Sequence, residues 1–165
     1  MNENPVQRLT RHVERLAGEI GERNVHRPAA LDAAARYIEL ELTGIGYAVN
    51  RQTDVVREVE SANLEVVLRG QRWPDESIVV GAHYDTVAGC PGADDNASVV
   101  AALIEIARLL WGRAPARTLK LVAFVNEEPP FFFFGKMGSQ VYASGAPPPR
   151  KHPADDFAGD AGLLP

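Results

Sequence analysis

Residues 77–82 (SIVVGA), 99–111 (VVAALIEIARLLW) and 118–125 (TLKLVAFV) decide the fold. The first and last of these segments are short apolar runs, which are typical of strands covered on both faces. The middle segment is apolar on nearly every side and predicts a buried helix. A strand, a crossover helix and a parallel strand form a right-handed βαβ unit. The sequence therefore predicts an α/β protein whose ligands bind beyond the carboxyl ends of the two strands.

The residues before this unit predict two amphipathic helices and an antiparallel pair of strands. Apolar side chains recur at steps of three and four residues, as on one face of a helix. They are Val6, Leu9, Val13, Leu16 and Ile20 in one stripe, and Leu31, Ala35, Ile38 and Leu42 in the other. Pro28 marks the start of the second helix, and Gly44 or Gly46 marks its end. Residues 47–56 and 62–69 are the predicted strands.

Composition limits the classes of protein that this chain can belong to. It has 165 residues, 17 basic and 22 acidic side chains and a formal net charge of -5, which suits one domain. The acidic balance argues against a broad surface for nucleic acid or anionic membranes. The single cysteine, Cys90, excludes an internal disulfide and fits a reducing compartment. Because we find no signal peptide in residues 1–5 and no membrane span, we expect a cytoplasmic protein.

The composition changes near residue 145. Five of the 12 prolines lie within residues 147–165, and residues 145–165 show neither a helical nor a strand period. Such a Pro- and Gly-rich segment cannot bury enough apolar surface to order itself. We therefore predict a disordered tail over 145–165.

Polar side chains gather at three points that the predicted topology brings to one edge of the sheet. They are His83, Asp85, Asp94, Asp95, Glu127 and Glu128. Carboxylates packed this closely repel one another and resist ionisation, and a cation relieves that repulsion. An imidazole with carboxylates suits zinc, or less specifically manganese or cobalt. The alternative is that the paired aspartates only cap a helix and the paired glutamates only form a solvated turn.

Four motifs resemble the di-zinc aminopeptidase family, which includes aminopeptidase Y and, more distantly, the glutaminyl cyclases. They are GAHYDT at 81–86, PGADDNAS at 91–98, VAFVNEEPPFF at 122–132 and MGSQVYA at 137–143. The resemblance implies that residues 1–144 are the N-terminal part of a zinc-peptidase domain. Its fold would be an α/β three-layer sandwich with a mixed, mostly parallel sheet, truncated after the second central strand. Its activity would be hydrolysis of N-terminal peptide bonds through a water activated by two zinc ions.

The resemblance also implies a role for each residue of the site. His83 would bind one metal, and Asp85 would orient the imidazole of His83, as carboxylates behind metal-binding histidines do. Asp94 would bridge both ions, with the peptide bond after it in the cis form. Glu127 would be the general base, and Glu128 would bind the other metal. Manganese or cobalt could replace zinc.

The family pattern includes two further ligands, an acid after a later strand and a histidine from a later loop. No residue in 145–165 matches them, and His152 is a poor candidate. We therefore expect little peptidase activity from this chain alone, and self-association through an unpaired sheet edge beside the strand that ends at Val125. The alternatives are a glutaminyl cyclase-like zinc enzyme and a catalytically inactive fragment that binds metal or a partner. Phe131–Phe134 either lines a substrate pocket or packs its loop.

Overall fold

The computed structural model describes residues 3–145, so that the proposed tail after Gly145 and His152 lie outside the described residues. The elements are α1 (Pro5–Val13), a π-helical continuation of it (Glu14–Ile20), α2 (Pro28–Ile45), β1 (Asn50–Val56), β2 (Val59–Leu68), β3 (Trp73–His83), a short π-helical turn (Ala93–Ala97), α3 (Ser98–Leu110), β4 (Arg117–Phe124), a 3₁₀ turn (Phe131–Phe134) and α4 (Gly138–Ser144). From α1 to β4 the helices and strands follow the predicted order, and a 3₁₀ turn and α4, which are not predicted from the sequence, come after them. None of the described helices is long and apolar enough to cross a membrane.

The four strands form one mixed sheet in the order β1-β2-β4-β3. β2 pairs antiparallel with both β1 and β4, and β3 pairs parallel with β4 through α3. The predicted α/β class, the antiparallel first pair and the parallel second pair are confirmed. Because β4 inserts between β2 and β3, β3 is one of the two outer strands of the described sheet, and β1 is the other.

Alternation along β2 shows how the layers are arranged. Leu64 and Val66 are fully buried in the core that the π-helical continuation of α1, together with α2 and α3, forms with the sheet. Asn63 and Glu65 point to the opposite face, where they contact the carbonyl of Gly138 and the hydroxyl of Tyr142 in α4. Helices therefore lie on both faces of the sheet, which gives three layers.

The core is a single large cluster between the sheet and the first three helices. Its fully buried large members are Leu16, Leu31, Ile38, Leu42, Leu64, Val66, Val100, Ile104 and Leu121. Burying each such side chain contributes about 1.5–3 kcal/mol. Helix α2 begins at Pro28 and ends before Gly46, whose φ of +123° suits glycine. A Cβ atom at Gly46 would lie 2.4 Å from the Trp111 ring, so that glycine is required there.

Two predictions about burial are wrong. Ile78, Val79 and Val80 of β3 are 51%, 47% and 37% exposed, although the sequence predicts a strand covered on both faces. Leu109 of α3 is 68% exposed, so this helix is not buried on every side. β3 is exposed because it is an outer strand, and Leu109 is exposed because α3 packs on the sheet with only one face. The unpaired edges of the described sheet belong to β1 and β3, whereas the strand that leads to Val125 lies inside the sheet.

Candidate metal centre

The parallel pairing of β3 with β4 builds the candidate site. His83 is the last residue of β3 and lies opposite Phe124, the last residue of β4. Three residues beyond Phe124 the chain presents Glu127 and then Glu128. One donor atom from each of His83, Glu127 and Glu128 lies within 4.8 Å of the other two. The strand ends therefore bring an imidazole and two carboxylates together, as the sequence predicts.

Asp85 fixes the two loops of the site relative to each other. Its side chain is 1% exposed, and its two carboxylate oxygens accept the backbone N–H groups of Glu127 and Glu128, each at 3.1 Å. The Nδ1 atom of His83 lies 3.2 Å from the Asp85 carbonyl oxygen and 3.6 Å from its carboxylate. Asp85 thus faces the imidazole with both its carbonyl and its carboxylate, and the carboxylate also orders the glutamate loop.

The aspartate that reaches His83 is Asp95, and the prediction of Asp94 is wrong. Asp95 Oδ1 lies 2.9 Å from His83 Nε2, and the cis peptide bond is Asp95-Asn96 instead of the bond after Asp94. Within residues 3–145, the carboxylates within 4 Å of the His83 ring are those of Asp85, Asp95 and Glu127. Asp94 is exposed, and its carbonyl accepts the hydroxyl of Ser98.

The backbone explains this shift of one residue. Asp95 (φ -111°, ψ 91°) and Asn96 (φ -139°, ψ 33°) are not helical, so the chain turns there before α3 begins. The turn directs the Asp95 side chain toward the end of β3. Two adjacent aspartates are identical in residue type, and no local signal in the sequence separates their roles.

Gly92 makes this turn possible. Its φ is +62°, which disfavours other residues, and a Cβ atom there would lie 2.4 Å from Thr86 Cγ2 and 2.5 Å from the Asp95 carbonyl oxygen. The absence of a side chain at Gly92 therefore lets the backbone there pack closely against Thr86 and Asp95.

The electrostatics of the site show an excess of negative charge. Burial lowers the pKa of His83, but its hydrogen bond to Asp85 and the charges of Asp85, Glu127 and Asp95 outweigh burial and raise it to about 9. Burial, followed by repulsion from Asp95, raises the pKa of Glu128. A cation bound among these donors would relieve the repulsion that adds to burial in raising the pKa of Glu128. The donor set fits zinc on these grounds.

The two adjacent glutamates differ in their surroundings. The Glu127 side chain is 47% exposed, and its Oε2 atom lies 3.8 Å from His83 Nε2. Glu128 is partly buried, and its pKa is raised. Glu127 can therefore reach both solvent and the donor cluster, which a proton acceptor for water requires.

The phenylalanine run divides between two environments. Phe131 is 5% exposed and packs with Val25 and Val56 in a small second cluster, which supports the loop-packing interpretation for this residue. Phe133 and Phe134 are each 71% exposed. Whether the exposed rings line a substrate pocket stays a prediction.

The fold and the carboxylate-rich strand ends define an α/β protein with a candidate metal centre. Residues 63–157 match the family described as Peptidase family M28, and the chain belongs to this family. The family resemblance of the four sequence motifs is therefore confirmed.

Individual relatives agree with this assignment. The chain is 34% identical over 153 residues to the uncharacterized protein YfbL of Escherichia coli, covering 88% of this chain and 47% of YfbL. It is 37% identical over 65 residues to aminopeptidase YwaD of Bacillus subtilis, covering 39% of this chain and 13% of YwaD. The chain thus spans about half the length of YfbL and less of YwaD.

Two solved structures share the fold. BSAP, a zinc aminopeptidase from Bacillus subtilis, has a TM-score of 0.75 at 13% identity, covering 88% of this chain and 66% of BSAP. The glutaminyl cyclase of Tannerella forsythia has a TM-score of 0.67 at 23% identity, covering 90% of this chain and 58% of the cyclase.

Proposed function

We propose that this chain forms part of a zinc-dependent exopeptidase that removes N-terminal residues from peptides. The observation that supports the proposal is the convergence of His83, Asp95, Glu127 and Glu128 at the joined ends of β3 and β4. The aminopeptidase names among the relatives favour peptides as the substrate over other amides.

The donor set suggests how the residues divide their work. We propose two ions, with His83 binding one, Glu128 the other, and Asp95 both. When bound, zinc polarises the scissile carbonyl group and acidifies water. Catalytic zinc usually has three protein ligands and one open position. In this proposal residues 3–145 supply two ligands for each ion, so each needs one more from outside them.

Glu127 would perform the proton transfers. It accepts a proton from the water that attacks the carbonyl carbon, and it returns the proton to the amine that departs when the C–N bond breaks. Asp85 holds the backbone N–H groups of Glu127 and Glu128, so that one glutamate faces solvent while the next faces the donor cluster.

Zinc titration of the 165-residue chain by calorimetry tests the assignment. We expect Asp95→Asn and Glu128→Gln to weaken zinc binding at least tenfold, since each removes a ligand. Asp94→Asn is the matched control, and we expect it to change the affinity less than twofold. Glu127→Gln should bind zinc almost as the unchanged chain does. Equal losses of zinc affinity in Asp94→Asn and Asp95→Asn would contradict the assignment of Asp95 as the ligand.

Hydrolysis assays test the activity itself. Because each proposed ion would lack a ligand, we expect the 165-residue chain with zinc to hydrolyse aminoacyl-anilides only slowly, and Glu127→Gln to reduce this turnover by ~10²-fold. Rapid turnover that Glu127→Gln abolishes would show that residues 3–145 need no further ligand. Cyclisation of N-terminal glutamine, without anilide hydrolysis, would favour the glutaminyl cyclase-like alternative.

We also propose that a second copy of the chain pairs with the outer edge of β3. In the described sheet β3 pairs only with β4, and its exposed Ile78, Val79 and Val80 add apolar surface beside that edge. Sedimentation velocity should detect dimers, and Val79→Lys should shift them toward monomers because a charge opposes pairing. A chain that stays monomeric at high concentration would contradict the proposal.

A further inference from the structure

Arg23 is a fully buried cation close to the candidate metal centre. It lies between the π-helical continuation of α1 and helix α2, and it is 0% exposed. Its guanidinium donates hydrogen bonds only to main-chain carbonyls in the part of the chain that the structure describes. The acceptors are Tyr84 (2.6 Å), Leu16 (3.1 Å), Gly21 (3.0 Å), Pro91 (2.6 Å) and Gly92 (3.1 Å).

The cost of burying the charged guanidinium of Arg23 indicates that this residue does more than fill space in the core. A buried guanidinium is costly unless its donors are satisfied, and here five carbonyls satisfy them without a carboxylate. Burial lowers the pKa of Arg23 to about 10, and the nearby charge of Asp85 opposes that decrease. Arg23 therefore stays charged at neutral pH and places a positive charge behind the acidic site.

The acceptors lie at both ends of the segment that joins two proposed metal ligands. Tyr84 directly follows His83, and Gly92 precedes Asp95 by three residues. One guanidinium thus bonds the start and the end of segment 84–92 to each other. Because its donors form a rigid planar fork, a single arginine can span both ends.

The main chain of Arg23 also contacts the first part of this segment, at Thr86. Its N–H donates to Thr86 Oγ1 at 3.1 Å, and its carbonyl accepts the N–H of Thr86 at 3.0 Å. The side chain of Asn24 donates to the carbonyl of Thr86 at 3.1 Å. Segment 84–92 is therefore attached to residues 23–24 near its beginning, at Tyr84 and Thr86, and at its end, at Pro91 and Gly92.

We propose that Arg23 is a positioning residue that fixes the separation of His83 and Asp95 before a metal binds, by clamping both ends of segment 84–92. The inference rests on the proposed metal-binding function. A clamped segment has less conformational freedom to lose on binding, which strengthens binding without any contact between Arg23 and the ion.

Cobalt titration of the 165-residue chain tests this inference. Arg23→Lys keeps the charge but replaces the planar fork with a compact ammonium group. We expect it to weaken Co²⁺ binding 10- to 100-fold, the range typical of residues behind metal ligands, and to alter the visible absorption spectrum of bound Co²⁺. Arg108→Lys is the matched control, since Arg108 pairs with Glu105 and Glu41 away from the site, and it should change the affinity less than twofold.

Hydrogen exchange in the metal-free chain gives a second readout. The amides of Thr86 and Ala97 donate to the carbonyls of Arg23 and Gly92. In Arg23→Lys we expect both amides to exchange at least tenfold faster, while the amides inside α2 keep their rates. Unchanged amide exchange in Arg23→Lys would overturn the inference, as would Co²⁺ affinity and spectrum equal to those of the unchanged chain.

Two further results remain decisive. If the unchanged chain binds no Co²⁺, the proposed function fails, and the metal-preorganising role of Arg23 fails with it. The amide exchange rates of Arg23→Lys still show whether the clamp exists.

If Arg23→Lys does not fold, Thr86→Val removes one hydrogen bond of the same attachment at nearly constant shape. It should weaken Co²⁺ binding by about threefold, and an unchanged affinity there would overturn the inference.

Discussion

Two clusters of charged side chains differ in how their charge is balanced. The helix cluster joins α1, α2 and α3 and contains Arg8, Arg11, His12, Tyr37, Glu41, Glu105 and Arg108. The site cluster consists of His83, Asp85, Asp95, Glu127 and Glu128. The first has three arginines for two glutamates, whereas the second has one imidazole for four carboxylates.

This difference separates a structural role from a functional one. In the helix cluster, hydrogen bonds from Arg108 and Arg8 outweigh burial and lower the pKa of Glu105, so its carboxylate is stable as an anion. In the site cluster, burial and repulsion raise the pKa of Glu128. A cluster in which arginine pairs with every carboxylate stabilises the packing of helices, while a cluster with an excess of carboxylates attracts a cation from outside.

The largest expected effect is that of Asp85→Ala. This change leaves the backbone N–H groups of Glu127 and Glu128 without their buried acceptor and removes a charge beside His83. We expect a loss of about 3 kcal/mol in the free energy of unfolding, since two hydrogen bonds to a charged group disappear. Urea denaturation measures the loss, and calorimetry should show zinc binding weakened more than tenfold.

Asp32→Ala is the matched control for this change. Asp32 forms an exposed i,i+4 pair with Arg36, and such pairs contribute less than about 0.5 kcal/mol. If Asp85→Ala lowered the free energy of unfolding no more than Asp32→Ala does, the proposed link between the two loops of the site would be wrong.

The second expected effect belongs to the helix cluster. Glu105 is 8% exposed at its side chain and pairs with Arg8 at 2.7 Å and Arg108 at 3.0 Å. We expect Glu105→Gln to lower the free energy of unfolding by about 2 kcal/mol, less than for a fully buried pair because both arginines reach water. Zinc affinity should stay within twofold of that of the unchanged chain. A large loss of zinc affinity would mean that the two clusters are coupled.

Much of the architecture could be predicted because it depends on local patterns. The stripe after Pro28 and the break at Gly46 define α2, and the apolar runs define β3 and β4. Since parallel strands end at the same sheet edge, the convergence of His83 with Glu127 and Glu128 also follows from the order of elements.

What could not be predicted depends on contacts between residues that are distant in sequence. The exposure of β3 follows from the insertion of β4 between β2 and β3, which no local pattern records. Arg23 has the residue type of a surface side chain, and its five carbonyl partners come together only in the folded chain. The choice of Asp95 over Asp94 depends on a backbone turn just before α3.

The third prediction is that the two clusters give metal-free stability opposite dependences on pH. Burial lowers the pKa of His12, so the stability that its neutral form contributes is lost as pH falls below its ordinary 6.5. His83, with a pKa of about 9, contributes stability that is complete below 6.5 and lost as pH rises toward 9. We expect an alkaline loss of about 1 kcal/mol between pH 7 and pH 8, which urea denaturation at several pH values would measure.

Two variants show which residues cause the acid limb and the alkaline limb of this profile of stability against pH. His83→Asn should flatten the alkaline limb and leave the acid limb, whereas Glu105→Gln should flatten part of the acid limb, because the low pKa of Glu105 makes its contribution disappear as pH falls. A His83→Asn profile that keeps its full alkaline limb would contradict the balance of charge described for the site.

The smallest expected effect comes from Arg11→Lys in the helix cluster. Arg11 donates to Glu41 at 2.9 and 3.5 Å and to the Tyr37 hydroxyl at 3.3 Å. Lysine keeps the charge but cannot make both contacts with Glu41, and because Arg11 is 38% exposed, water replaces part of what is lost. We therefore expect a decrease of about 0.5 kcal/mol in the free energy of unfolding. Co²⁺ binding should remain unchanged, in contrast to the same substitution at Arg23. An equal loss of Co²⁺ affinity in both variants would show that any arginine-to-lysine change disturbs the site, and the comparison between the clusters would fail.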